Sequence, residues 1–146
     1  MRDRVLTLAI LLLPWCLSAA FAVEPARFGV EINLKSFPQA TPKEALASAL
    51  KVVDLKRVDY LMAHLTDPDW VDRRVELYQG GFAELVREAT AKLDAPAVKQ
   101  LRRFLDEGDF ETLDTGAVVR HKKVPDRIVR FRKVGDRWFL RNMHKP

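Results

Sequence analysis

The spacing of apolar residues changes near Gly108, and that change limits the fold of this chain more than any other feature. Before Gly108 the apolar residues recur three and four apart, as on one face of a helix. After it they alternate, as on one face of a strand. Leu46, Ala49, Leu50 and Val53 form one helical stripe, and Leu55, Val58, Leu61, Met62 and Leu65 a second. The two stripes predict a helical hairpin turning near Asp54. Thr41-Pro42-Lys43-Glu44 marks its start, because Thr41 can cap free N–H groups, Pro42 suits the first turn and Glu44 can reach back to complete a capping box. A third stripe follows Asp67-Pro68-Asp69 and runs through Val71, Val75, Tyr78, Phe82, Leu85, Val86, Ala89 and Leu93. Gly80-Gly81 sits inside it and is expected to bend or split the helix, each glycine costing about 1 kcal/mol against alanine. Asp94-Ala95-Pro96 restarts the chain, Val98, Leu101, Phe104 and Leu105 make a last helical face, and Gly108 ends it.

Strands are expected at Phe110–Leu113, Ala117–His121, Ile128–Val134 and Trp138–Met143. Asp114-Thr115-Gly116, Pro125-Asp126 and Gly135-Asp136 supply the turns. Loops this short require antiparallel pairing. Helices followed by an antiparallel meander define an α+β fold in a single domain over residues 41–146. Ahead of it, Phe28, Val30, Ile32 and Leu34 alternate with polar residues and glycine, so residues 23–40 read as an edge strand or an extended leader.

Residues 1–22 read as a cleavable secretory signal peptide. Arg2 and Arg4 precede the apolar run Val5–Leu13, Pro14 breaks it, and Ala20 and Ala22 are the small residues before a cut after Ala22. An uncleaved N-terminal membrane anchor is the alternative, since Val5–Val23 approaches the ~20 residues of a spanning helix. Export places the mature chain in the periplasm or outside the cell. Cys16 is the single cysteine and leaves with the signal, which excludes disulfides, thiol catalysis and cysteine metal sites from the mature chain. Charge is uneven. Residues 120–146 hold 10 Lys and Arg against 2 Asp and Glu, whereas residues 23–119 hold 13 against 17. The basic end is either a solvated sheet face or a surface that attracts anions.

Thr41-Pro42-Lys43-Glu44-Ala45-Leu46, then Val58-Asp59-Tyr60-Leu61 and Leu65 ahead of Asp67-Pro68, then Val134-Gly135-Asp136-Arg137-Trp138-Phe139-Leu140 at the end, resemble the nuclear-transport-factor-2-like superfamily. The likeness extends from about Thr41 to Asn142, and within the superfamily the chain resembles small exported bacterial proteins of unknown function. It implies a cystatin-like cone of helices on a curved antiparallel sheet, and pairing through the sheet as a homodimer. Isomerases, dehydratases, cyclases and binding modules all use that fold, so it does not choose a function.

Tyr60 and His64 are four apart on one helical face near Asp67 and are the candidate proton-handling pair. The plain alternative leaves them flanking the stripe, half exposed. Asp67, Asp69 and Asp72 lack the glycine turn and terminal Glu of a calcium loop and read as helix caps, so no metal site is expected. Arg130, Arg132 and Arg141, with Trp138, are the candidate ligand-binding residues. His121-Lys122-Lys123 and Arg137 add to the basic character. No phosphate-cradling glycine loop, serine-hydrolase elbow or H-E-x-x-H pair occurs, and no cofactor is expected. The leading expectation is an exported, non-enzymatic module binding a protein or small-molecule ligand. The alternatives are a small-molecule isomerase or lyase working in a cone pocket, and a basic sheet that binds an anionic envelope component. Nucleic acid does not suit this compartment.

Overall fold

The computed structural model describes residues 26–144. The signal segment at residues 1–22 lies outside the described residues, as does the start of 23–40. Five α-helical segments precede a four-stranded antiparallel sheet of order β1-β2-β3-β4, an α+β arrangement. The helices are α1 (Pro42–Asp54), α2 (Val58–Tyr60), α3 (Pro68–Leu77), α4 (Gly81–Lys92) and α5 (Ala95–Glu107). The strands are β1 (Asp109–Thr112), β2 (Gly116–Arg120), β3 (Ile128–Val134) and β4 (Arg137–His144). Among the described residues no helix is long and apolar enough to cross a membrane.

α1 begins with both halves of the capping box. The Glu44 N–H donates to Thr41 Oγ1 at 3.1 Å and the Thr41 N–H donates to Glu44 Oε2 at 3.2 Å. The second arm of the hairpin differs from a plain α-helix. The single turn α2 widens into a π-helical turn, Leu61–Leu65, all of it buried. Both the N–H and the hydroxyl of Thr66 donate to the Leu61 carbonyl at 3.0 Å, which closes the wide turn. Val58, Leu61, Met62 and Leu65 are buried as their stripe predicts, while Leu55 stays exposed in the connection. The third stripe splits into α3 and α4 at Gly80-Gly81, where Gly81 takes a φ of +57°. Asp94 caps α5 by accepting from the Ala97 N–H.

One face of the sheet carries Ala117, Val119, Val129, Phe131 and Trp138 into a core with Ala45, Leu46 and Leu50 of α1 and Phe104 of α5. The opposite side of α1 presents Ala49 and Val52 to a second cluster with the π-helical turn, Val71 and Leu85. An ion pair from Arg102 to Asp54 links α5 to α1.

Residues 26–40 form neither a strand nor an extended leader. Arg27 and Val30 exchange backbone hydrogen bonds at 3.0 Å across a tight turn in which Phe28 and Gly29 have φ of 54° and 76°. A second turn closes where Asn33 Oδ1 accepts from the Ser36 N–H. The alternating pattern fails because its apolar residues go to different places: Val30 is buried, Phe28 stacks on Phe82 at 4.3 Å and Leu34 is exposed. The segment is a strap tied to β4. The Trp138 N–H donates to the Gln39 carbonyl at 2.9 Å, and Gln39 Nε2 donates to the Trp138 carbonyl at 2.8 Å. The strap and Thr66-Asp67 thereby cover the outer edge of β4.

Gly108 tests how α5 meets the sheet. A methyl group there would lie 2.2 Å from the Phe104 carbonyl oxygen and 2.4 Å from Val119 Cγ2. Gly108→Ala is expected to lower stability by about 1–3 kcal/mol in urea unfolding. Gly116→Ala, whose added carbon would meet only the Phe131 carbonyl at 3.5 Å, is expected to cost much less. Equal costs would mean that α5 is not seated against β2 as described.

Candidate functional site

A half-open, mainly apolar cavity of about 270 Å³ lies between the helices and β4. Its apolar walls include Leu50 and Val53 of α1, Leu61 and Met62 of the π-helical turn, Trp70 of α3, Leu85 and Ala89 of α4, Leu101 of α5 and Leu140 of β4. Small residues from three helices, Ala49 of α1, Ala89 of α4 and Ala97 of α5, also line this space. Arg74, Glu88, Lys92 and Arg141 are its charged lining residues. Glu88 pairs with Lys92 one turn along α4, and that hydrogen bond holds its carboxyl below the usual carboxylate range. The Arg74 guanidinium lies over the Trp70 ring at 5.5 Å and the Tyr78 ring at 5.8 Å, two cation–π contacts.

Beside the cavity, next to its lining residues Thr66 and Arg141, stands Asp67. The π-helical turn delivers this residue to β4, where its N–H donates to the Leu140 carbonyl at 2.8 Å. Its carboxylate is 2% exposed as a residue, caps α3 through the Asp69 N–H, accepts from Arg132 Nη1 at 3.0 Å and sits 3.3 Å from Arg141 Nε. Asp69 also receives Arg132, which holds the Asp69 carboxyl below its usual range and raises the guanidinium of Arg132 above its own. Asp72 takes Arg27 of the strap. All three aspartates therefore receive arginines, and Asp67 alone of them caps the helix. Among the described residues no group of three or more His, Cys, Asp or Glu is placed to hold a metal ion.

Tyr60 and His64 come together, with ring centroids 4.9 Å apart, but neither is half exposed: they are 1% and 4% exposed. The strap covers them. The Asn33 N–H donates to Tyr60 Oη at 2.9 Å, and His64 Nε2 lies 2.7 Å from the Val30 carbonyl, so the proton sits on Nε2. They line neither the cavity nor the second depression described below.

The sequence-derived basic group divides. Arg130 lies opposite Arg141, and Arg132 opposite Phe139, so alternation puts the three arginines on one face. Trp138 lies opposite Lys133 and packs in the core on the other face, apart from the arginines. Arg132 and Arg141 already hold carboxylates. Arg137 donates to Gln39 Oε1 and to the His64 carbonyl, a structural tie. His121 is buried, with Nδ1 accepting from the Lys123 N–H and Nε2 3.3 Å from Glu107. His121 and Lys123 together lower the Glu107 carboxyl.

Sequence reasoning assigned Trp70, Arg74, Glu88 and Lys92 no role. The sequence signal for a cavity is weak: three alanines, Ala49, Ala89 and Ala97, on three different helices. Comparison of the chain with protein-family models, with curated proteins and with solved structures finds no match.

Asp67→Ala loses a cap and two ion-pair partners at a buried position. It is expected to cost about 2–4 kcal/mol in urea unfolding, and Asp67→Asn, which keeps a capping oxygen, roughly half as much. The depressed carboxyls of Asp69 and Glu107 set a direction with pH. Each is ionised more readily folded than unfolded, so its contribution is complete above the ordinary carboxyl range near ~4 and is lost as pH falls through the lower folded value. The urea midpoint is expected to drop on acidification below that range, with a shallower drop in Asp69→Asn. An unchanged slope in the variant would contradict the Arg132–Asp69 pairing.

Proposed function

We propose that this protein is an exported, non-enzymatic binding module that takes a small apolar ligand into the cavity between α1, the π-helical turn, α3, α4, α5 and β4. The cavity itself carries the reading. Small-molecule sites are concave and mostly apolar with a few polar groups in the wall. This half-open cavity of about 270 Å³ has that character, with Arg74, Glu88, Lys92 and Arg141 among its lining residues. Export rests on the signal-like character of residues 1–22, and the resemblance to the nuclear-transport-factor-2-like superfamily agrees with a ligand held between helices and a curved sheet. That resemblance also suggests a homodimer through the sheet.

An isomerase or lyase in the cavity is less well supported, because Tyr60 and His64 hydrogen-bond to the strap instead of lining it. An anion-binding sheet is weakened by the carboxylates that Arg132 and Arg141 already hold. Trp70 in the wall gives a direct readout. Saturable binding of the neutral probe N-phenyl-1-naphthylamine, one per chain, is expected to change Trp fluorescence. Ala89→Phe, which fills the cavity, is expected to weaken that binding at least about tenfold while circular dichroism stays native. Binding that ignores Ala89→Phe would place the probe elsewhere and defeat the proposal.

A further inference from the structure

Outside the corner between α4 and α5 lies a second depression of about 540 Å³. Lys92, Lys99, Arg103 and Arg127 line it, with the single carboxylate Asp94. Asp94 is engaged as the α5 cap, accepting from the Ala97 N–H at 2.9 Å. Arg127 Nη1 donates to Gln100 Oε1 at 2.7 Å, which fixes the loop before β3 against α5 and holds that cation in place. Lys92 is paired with Glu88, and the remaining cations Lys99, Arg103 and Arg127, set against the capping carboxylate of Asp94, make a groove that attracts anions. Lys92 and Ala97 belong to both linings, so the apolar cavity and the basic groove share a wall.

We propose that the natural ligand is a single-chain amphiphile with an anionic head, its chain in the cavity and its head in this groove. The inference rests on the cavity reading above and specifies its ligand. At roughly 30 Å³ per water-sized group, the cavity has room for a chain of about nine carbons. The cations lining the cavity are engaged, Arg74 over Trp70 and Tyr78, Lys92 with Glu88 and Arg141 with Asp67, so an anionic head there would have to displace those contacts or be buried at a cost. In the groove it stays hydrated and meets Lys99, Arg103 and Arg127. A fatty carboxylate and an alkyl phosphate monoester share this chemistry.

The test compares four ten-carbon probes on the full mature chain, below their micelle concentrations: decanoate, decyl phosphate, decanol and decyltrimethylammonium. Trp fluorescence and calorimetry read the binding. Decanoate or decyl phosphate is expected to bind more tightly than decanol, decyltrimethylammonium most weakly, and the anion preference is expected to shrink with salt. The tighter of the two anions identifies the head as carboxylate or phosphate. Lys99→Glu/Arg103→Glu, two exposed changes on α5, is expected to weaken anion binding about tenfold and leave decanol unchanged. Equal binding of decanol and the anions, unaffected by the double variant, would overturn the head-group assignment and leave the cavity reading intact. Failure of all four probes to bind would overturn both.

Discussion

Asp67 carries a buried carboxylate at the place where the helical layer meets the sheet, and much of the architecture is arranged to receive it. A carboxylate this buried is costly without partners. It has two arginines from neighbouring strands, Arg132 and Arg141, and the first turn of α3. Its backbone joins β4 through Leu140. To bring Asp67 to that edge the chain leaves α-helical geometry after Tyr60 and makes one wide turn, closed by two hydrogen bonds from Thr66. The π-helical turn, the covered edge of β4 and the start of α3 are thus consequences of one placement.

The cavity lies next to this placement, with Thr66, Trp70 and Arg141 in its lining. α3 starts directly after Asp67, and α4, after the break at Gly80-Gly81, packs against α3 and α2. Small residues at Ala49, Ala89 and Ala97 do not fill the space between the helices. The strap at residues 26–40 closes the opposite side of the π-helical turn and takes up Tyr60 and His64. The π-helical turn therefore separates two environments: a hydrogen-bonded aromatic layer under the strap, and an apolar space lined by Leu61 and Met62.

Much of the fold was legible in the sequence because it depends on local chemistry. The capping box at Thr41, the glycine break at Gly80-Gly81, the restart at Asp94 and the turn at Gly135 each act over a few residues and appear where their residue types predict. Residues 26–40 depart from the strand pattern because alternation alone cannot tell a strand from a strap. The deciding features are the positive φ angles at Phe28 and Gly29 and the partners Phe82 and Trp138, which lie far along the chain. The candidate site was hardly legible for a similar reason. Helical periodicity marks Leu85 and Ala89 as inward-facing, and only the three-dimensional crossing of α1, α4 and α5 decides whether inward means packed or open. The basic residues of the sheet and the aspartates before α3 read as separate features, although Arg132 and Arg141 join them across more than sixty residues.

The central claim is that an apolar ligand occupies the space between the helices and β4. A methyl NMR titration with a small apolar probe such as benzene tests it most directly. The account predicts saturable shifts for Leu61, Leu85, Leu101 and Leu140, with Val119 and Val129 in the packed core unchanged. Shifts that never saturate, or that spread evenly over surface methyls such as Leu77 and Leu113, would contradict it.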